Sequence, residues 1–318
     1  MTELEHAALV AVRDCLGLQP AEKLLIVTDP PQARLAGVLA AAARPLACEV
    51  LVLEYGVREL NGQEPPDPVP GAMTGVDAVL AVTTRSITHT AARRAATAAG
   101  VRVATMPGIT EDCLIRTMNA DYHAIAARTE RLAARLTAAS VARVTSAAGT
   151  DITLPIAGIK AIPSTGLIRN AGQWGNLPSG EAYMMPEEGK AEGVIVVDAS
   201  LAGIGKLSEP VRITVAGGQA VAVEGGEQAR RFAEQLDKAG EGARNCAELG
   251  VGTNDRAVVT GAILEDEKIL GTVHIAFGNN ASMGGTVGVA FHVDGILLRP
   301  TLELDGDPVL RDGAPLFD

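Results

Sequence analysis

The sequence predicts an α/β N-terminal domain with a mostly parallel sheet, followed by an α+β, largely antiparallel domain that binds metal. Three observations predict this. Up to residue 140, short apolar runs alternate with alanine-rich stretches of helical character, the pattern of βαβ units. Beyond it, strands follow one another with turn residues between them. The second half also holds His274 and, eighteen residues on, His292-Val293-Asp294, both in stretches that read as strand. We therefore expect domains at residues 1–140 and 141–318.

In the first half, residues 3–16 place apolar side chains at helical spacing. KLLIVT (23–28) reads as a buried strand closed by the Asp29-Pro30-Pro31 turn, and residues 32–43 as an alanine-rich helix. EVLVLE (49–54), DAVLAV (77–82) and residues 102–105 are the next strands, with a helix over 90–99. Residues 61–72, rich in Pro, Gly and Asp, read as a surface loop. Residues 121–139 form a longer helix with Ile125, Leu132 and Leu136 on one face. In the second half, residues 146–155, 194–198, 211–215 and 220–223 read as strands, with Ala216-Gly217-Gly218-Gln219 as a hairpin turn. Residues 227–238 form an amphipathic helix turning Phe232 and Leu236 inward. Further strands run to Leu304, before the Asp305-Gly306-Asp307-Pro308 turn.

Composition narrows the function classes. The chain has 318 residues, 47% of them apolar, long enough for two ordinary domains with their own cores. Its formal charge of −11, with no dense Lys/Arg cluster, argues against nucleic acid as a partner. Arg93-Arg94 and Arg230-Arg231 read as solvated helix faces. No apolar run reaches membrane-spanning length, and the acidic start lacks the pattern of a signal peptide, so we expect a cytoplasmic protein. Cys15, Cys48, Cys113 and Cys246 are dispersed without CxxC spacing, which sets thiolate zinc aside; buried small apolar positions are expected for them.

The chemistry concentrates near the C-terminus. In a strand, residues two apart share a face, so His292 and Asp294 project together, about 6.5–7 Å apart at the backbone. His274 on a neighbouring strand completes a facial set. Imidazole plus carboxylate suits zinc, manganese, cobalt or non-haem iron. Glu181, in LPSGEAYMMP, and Glu248, in AELGVGTN, stand among glycine, proline and small residues. Such segments read as loops or element ends, where a ligand can come close to backbone, although a solvated loop acid reads the same way. Thr88 is a natural N-cap, with His89 then in the first helical turn, where a helix N-terminus can hold an anionic group. Gly203-Ile204-Gly205 lacks the form and setting of a dinucleotide-binding loop.

The four segments LPSGEAYMMP, AELGVGTN, DEKILGTVHIAFG and HVDG, in that order, resemble the metal-binding half of the aminopeptidase T and aminopeptidase S metallopeptidase family, of leucyl aminopeptidase type. The likeness covers most of residues 165–313, and SITHTAARRAA with MPGITE is similar, more loosely, to that family's N-terminal domain. The resemblance implies one or two divalent ions (zinc, cobalt or manganese) on Glu181, Glu248, His274, His292 and Asp294. It implies a metal-activated water that cleaves a small peptide or amide, with Glu181 or Glu248 handling the proton, in a homodimer. Two departures stand against it. The family's tyrosine seven residues after the first histidine is Ala281 here, in a loop where Asn279, Asn280 and Ser282 offer hydrogen bonds instead or merely connect strands. The histidine separation is also shorter. Some relatives look like mononuclear iron ring-cleaving dioxygenases acting on hydroxylated pyridines. For that alternative, His274, His292 and Asp294 would hold iron(II) with positions left open. A non-catalytic metal-binding scaffold is the third reading.

Overall fold

The computed structural model describes residues 1–47 and 49–317. They form two compact units, Met1–Ala124 with Gly166–Ser179, and Ile125–Thr165 with Gly180–Asp318. The division falls within the helix Tyr122–Ala138. Cys48 lies outside the described residues, so its expected burial is not addressed.

In the first unit, five strands pair in parallel in the order Glu49–Glu54, Lys23–Thr28, Ala78–Val82, Arg102–Thr105, Trp174–Asn176. The central strands are continuous apolar runs because both faces are covered, as parallel sheets require. The edge strand Glu49–Glu54 leaves Leu51 and Val52 exposed. The helices Ala33–Ala43 and Ala91–Ala98 lie where the alanine-rich stretches were expected.

Several local expectations are corrected. Residues 3–16 form an α-helix only over Glu3–Leu9, with Thr2 and Glu5 in a capping box, and continue as a π-helix over Val10–Cys15. The stretch 61–72 is not all loop, since Val69–Thr74 is helical and buries Val69 and Met73. The helix Glu111–Met118, capped by Thr110, was not foreseen. Thr88 is not the cap of the next helix; Thr90 is, accepting from the Arg93 N–H, while the Thr88 hydroxyl bonds Thr105. His89 therefore precedes the helix, and its ring meets the Trp174 ring edge-on. The helix N-terminus is filled by the chain's own Glu64, whose carboxylate accepts from the Ala91 and Ala92 N–H groups. Arg93 is not solvated. It is buried, donates to the Thr88 carbonyl and lies over the Trp174 ring, 4.0 Å from its centroid.

The second unit holds two antiparallel sheets. One has eight strands, in the order Gln219–Glu224, Val211–Ala216, Glu192–Val197, Asp151–Pro155, Val141–Thr145, Thr301–Leu304, Asp307–Arg311, Ala314–Pro315. The other has seven: Gly205–Lys206, Ser200–Leu201, His292–Leu297, Val273–Gly278, Cys246–Gly252, Glu181–Met184, Ile162–Ser164. Residues 146–155 are not a single strand. Thr145 pairs with Asp151 across a turn at residues 146–150, where Gly149 has φ 107°. The expected hairpin at Gly217-Gly218 is present, with φ of 56° and 70°, the mirror-image turn that matches strand twist. One apolar cluster joins both sheets: Val144, Ile152, Ile195 and Ile213 from the first, Leu249, Val251, Ile275 and Phe277 from the second. Phe232 and Leu236 of the helix Glu227–Ala239 enter the same cluster, as their spacing required. No helix among the described residues is long and apolar enough to cross a membrane.

Candidate metal centre

The seven-stranded sheet sorts its side chains by strand alternation. Leu249, Val251, Val273, Ile275, Phe277, Val293 and Leu297 face the core. The intervening residues share the other face. Glu248, Ala276 and Asp294 lie in one cross-strand row, Gly278 pairs with His292, and Gly250 with His274. Glu181 pairs with Gly252 on that same face. All five sequence-predicted site residues are thus on four adjacent strands. A β-bulge between Cys246 and Glu248 is what makes this possible. Without it the two residues, two apart, would share a face; with it Cys246 joins the core while Glu248 turns to the polar side.

The expectation that Glu248 sits in a loop or at an element end is corrected. It lies inside the strand Cys246–Gly252, buried along its whole length. Glycines there serve neighbours rather than a turn: a Cβ on Gly250 would stand 1.9 Å from His274 Nε2, and one on Gly252 2.0 Å from the Ile269 carbonyl oxygen. Glu181 opens the strand Glu181–Met184, an element end as its surroundings suggested.

Glu248, His292 and Asp294 bring donor atoms within 4.8 Å of one another, a group able to hold a metal ion. His292 Nε2 lies 3.3 Å from Glu248 Oε2 and 3.4 Å from Asp294 Oδ1. His274 Nε2 lies 3.3 Å from Glu248 Oε1 and 3.5 Å from Glu181 Oε2. The tight group is therefore one imidazole and two carboxylates, with His274 reaching it through Glu248. Two atoms bound to one ion at about 2.1 Å, at octahedral to tetrahedral angles, stand about 3.0–3.4 Å apart. The three imidazole spacings to Glu248 and Asp294 match that figure, the His274–Glu181 spacing lies just beyond it, and all exceed the usual length of a charge-assisted hydrogen bond. His292 Nδ1 lies 2.8 Å from the Asn279 carbonyl oxygen, which can only accept; the proton is on Nδ1 and Nε2 is left as the ligand atom. Among the described residues, His274 Nδ1 is buried without a hydrogen-bond partner. The donor set thus fits a divalent ion.

The electrostatics favour positive charge. Burial opposes charge on His274, but its hydrogen bond to Glu248 and the nearby carboxylates outweigh this and raise its pKa to about 9. Burial likewise opposes charge on His292, and Asp294 and Glu248 hold it well above the ordinary imidazole value. Burial of Glu248 would raise its pKa, yet the two imidazoles bring it down to about 2.

Sequence reading missed two further members. Lys268, 1% exposed, places Nζ 2.6 Å from Glu181 Oε1 and 2.5 Å from Glu267 Oε1. Burial raises Glu267 to about 7 against the pull of Lys268. The signal was the charged run Asp266-Glu267-Lys268 leading into apolar Ile269-Leu270 ahead of the strand Val273–Gly278, where solvated charges are out of place. Asn279 spends its amide inside its own connection, on the Ala281 N–H and the Val289 carbonyl; Asn280 accepts from the Val287 N–H and donates to Glu188, outside that connection. Ala281, where the aminopeptidases carry tyrosine, opens the short 3-10 helix Ala281–Met283 and is exposed.

A sequence profile described as NicX, 2,5-dihydroxypyridine 5,6-dioxygenase, matches residues 13–316. The chain belongs to this family. Among solved structures, the 2,5-dihydroxypyridine dioxygenase from Pseudomonas putida KT2440 is similar at TM-score 0.86 and 18% identity, covering 100% of this chain and 99% of that one. Wild-type AmpT from Thermus thermophilus is similar at TM-score 0.72 and 20% identity, covering 99% of each. At these identities both likenesses establish the fold. A search of curated proteins gave no match. The leading sequence expectation, a metallo-aminopeptidase-like hydrolase cleaving peptides or amides, is overturned by the NicX profile and the P. putida structure. The aminopeptidase likeness survives as likeness of fold.

Proposed function

We propose that this chain is an iron(II)-dependent dioxygenase that opens the ring of a dihydroxylated pyridine. The carrying observation is the NicX profile over residues 13–316, which meets an ion-holding group inside the matched stretch. Glu248, His292 and Asp294 hold the ion and His274 adds a second imidazole, a nitrogen and oxygen set of the kind that suits non-haem iron. Iron(II), when bound, supplies open coordination positions and the one-electron chemistry that dioxygen requires.

The protein's own residues set the conditions. Hydrogen bonding of Nδ1–H to the Asn279 carbonyl fixes the ring of His292, which keeps Nε2 aimed at Glu248 and Asp294. Glu248 and Asp294 are the negative charges that compensate the ion, and their burial keeps water from competing for it. Of the two catalytic residues expected from sequence, Glu248 belongs to this ligand group. Glu181 is joined to Lys268.

Metal-free protein loaded with iron(II) under argon, then given 2,5-dihydroxypyridine and air, tests the reading at an oxygen electrode. The expected result is uptake of one dioxygen per substrate consumed, with none from zinc-loaded protein. Substrate left intact across a panel of dihydroxypyridines, in protein shown to hold iron, would refute it.

A further inference from the structure

His292 opens its strand and, with its side chain 34% exposed, is the most open member of the ion-holding group. Its ring therefore depends on what holds Nδ1, the Asn279 carbonyl 2.8 Å away. The same peptide unit carries the Asn280 N–H, which donates to the Val287 carbonyl at 3.1 Å. A peptide is planar, so whatever fixes Asn280 also fixes the direction of the Asn279 carbonyl.

Asn280 is 0% exposed. Its Oδ1 accepts from the Val287 N–H at 3.0 Å, and its carbonyl accepts from the Met283 and Gly285 N–H groups. A Cβ on Gly285 would stand 2.2 Å from the Asn280 Cγ, so glycine lets the chain close over the amide. The amide nitrogen reaches outside the connection and donates to Glu188 Oε1 at 2.8 Å. Glu188 Oε1 also accepts from the Thr286 N–H, and Oε2 from the Thr286 hydroxyl, both at 2.6 Å. One carboxylate thus grips both limbs of the connection. Its own root is anchored to the eight-stranded sheet. The Glu187 N–H donates to the Pro155 carbonyl at 2.7 Å, and the Gly217-Gly218 hairpin packs so closely that a Cβ on Gly218 would stand 2.7 Å from the Gly189 nitrogen.

We propose that Glu188 is a positioning residue for the ion site: it clamps residues 279–291 to the eight-stranded sheet and so holds the Asn279 carbonyl behind His292. This rests on the ion site proposed above and deepens it, because the aim of one ligand then depends on a carboxylate whose own hydrogen bonds go to Asn280 and Thr286. The clamp works by shape. A glutamine has the same reach, its oxygen accepts from Asn280 and the Thr286 N–H, and its amide donates to the Thr286 hydroxyl. An alanine makes none of these bonds.

Two readouts test this without turnover. Calorimetric titration of metal-free protein with manganese(II) gives affinity. Solvent exchange of the His292 Nδ1–H, followed by nuclear magnetic resonance in ¹⁵N-histidine-labelled protein at saturating zinc, gives the hold on the ring; the signal is assigned by its loss in His292→Asn. Glu188→Ala should bind manganese at least about fivefold more weakly, just short of the roughly 10–100-fold typical of outer partners, because one residue stands between Glu188 and the carbonyl. Its Nδ1–H should exchange at least about fivefold faster, since exchange requires the bond to Asn279 to open. Glu188→Gln should match wild type in both. Circular dichroism checks the fold, and should Glu188→Ala not fold, Thr286→Val, which deletes one of the three bonds, should still speed the exchange. A smaller loss of affinity or unchanged exchange in Glu188→Ala, unchanged exchange in Thr286→Val, or Glu188→Gln as impaired as Glu188→Ala would each overturn the proposal. Wild type that takes up no divalent ion would sink the ion site and this inference with it. Absence of oxygen uptake by protein holding iron would count against ring cleavage alone and leave this inference standing.

Discussion

His292 is held from behind by the Asn279 carbonyl and faces two carboxylates in front, so its removal should empty the site rather than loosen it. His292→Ala is expected to weaken manganese binding by at least about 100-fold, measured by calorimetry, because a ligand is lost and not merely an outer partner. The raised pKa of His274, about 9 against an ordinary 6.5, makes a second expectation for metal-free protein. A folded pKa above the unfolded one stabilises fully below about pH 6.5, and that contribution is lost as pH rises through about 9. Thermal melts of the metal-free protein should therefore fall between pH 7 and 10, by on the order of 2 kcal/mol. A flat profile, or the same slope in His274→Gln, would contradict it. Cys15 and Cys246 offer a third. Burial pushes the Cys246 thiol up to about 12 and holds Cys15 well above its ordinary value. Neither should react with a thiol reagent at pH 8 until the protein is unfolded, as peptide mapping would reveal. At this scale the ligand types were legible: His292 and Asp294 follow from the two-residue period of a strand. Lys268 was not, because its burial depends on Gly252 and Asn254, which lie some fifteen residues away in sequence.

The strands Cys246–Gly252 and Val273–Gly278 approach so closely at Gly250 that the His274 ring fills the space of a side chain. Gly250→Ala should push His274 off the cluster, at a cost of about 1–3 kcal/mol from overpacking. Denaturant melts should show that loss together with weaker metal binding; an unchanged metal affinity would mean that His274 is not needed. The strands with clean apolar periodicity, such as Lys23–Thr28 and Val211–Ala216, were readable because their burial pattern is written in the residues themselves. Trp174–Asn176 is only three residues long and pairs with Arg102–Thr105, so no local pattern marks it. Glu248 was read as standing in a loop or at an element end because its neighbours are small. Their smallness makes room for other chains of backbone and for His274, and the bulge that turns Glu248 has no signature in Cys-Ala-Glu. Arg93 misled in the opposite direction: a charged pair on a helix looks solvated until an aromatic ring, Trp174, is found beneath it.

At the scale of the whole molecule, the order of strands and helices announced a parallel sheet followed by antiparallel ones, and that architecture is what the P. putida and T. thermophilus proteins share with this chain. The reaction was not legible from the same residues. Imidazoles and carboxylates serve metal-activated water and metal-activated oxygen alike, so the ligand types do not separate hydrolysis from ring cleavage. Ala281 in place of tyrosine and the shorter separation of the two histidines were the local departures that pointed away from the peptidases, and the NicX profile settled the family. The most direct test follows the oxygen atoms. Iron(II)-loaded protein turning over 2,5-dihydroxypyridine under ¹⁸O-labelled dioxygen should place both labelled atoms in the ring-opened product, as read by mass spectrometry. A product whose new oxygens come only from water would contradict the dioxygenase assignment.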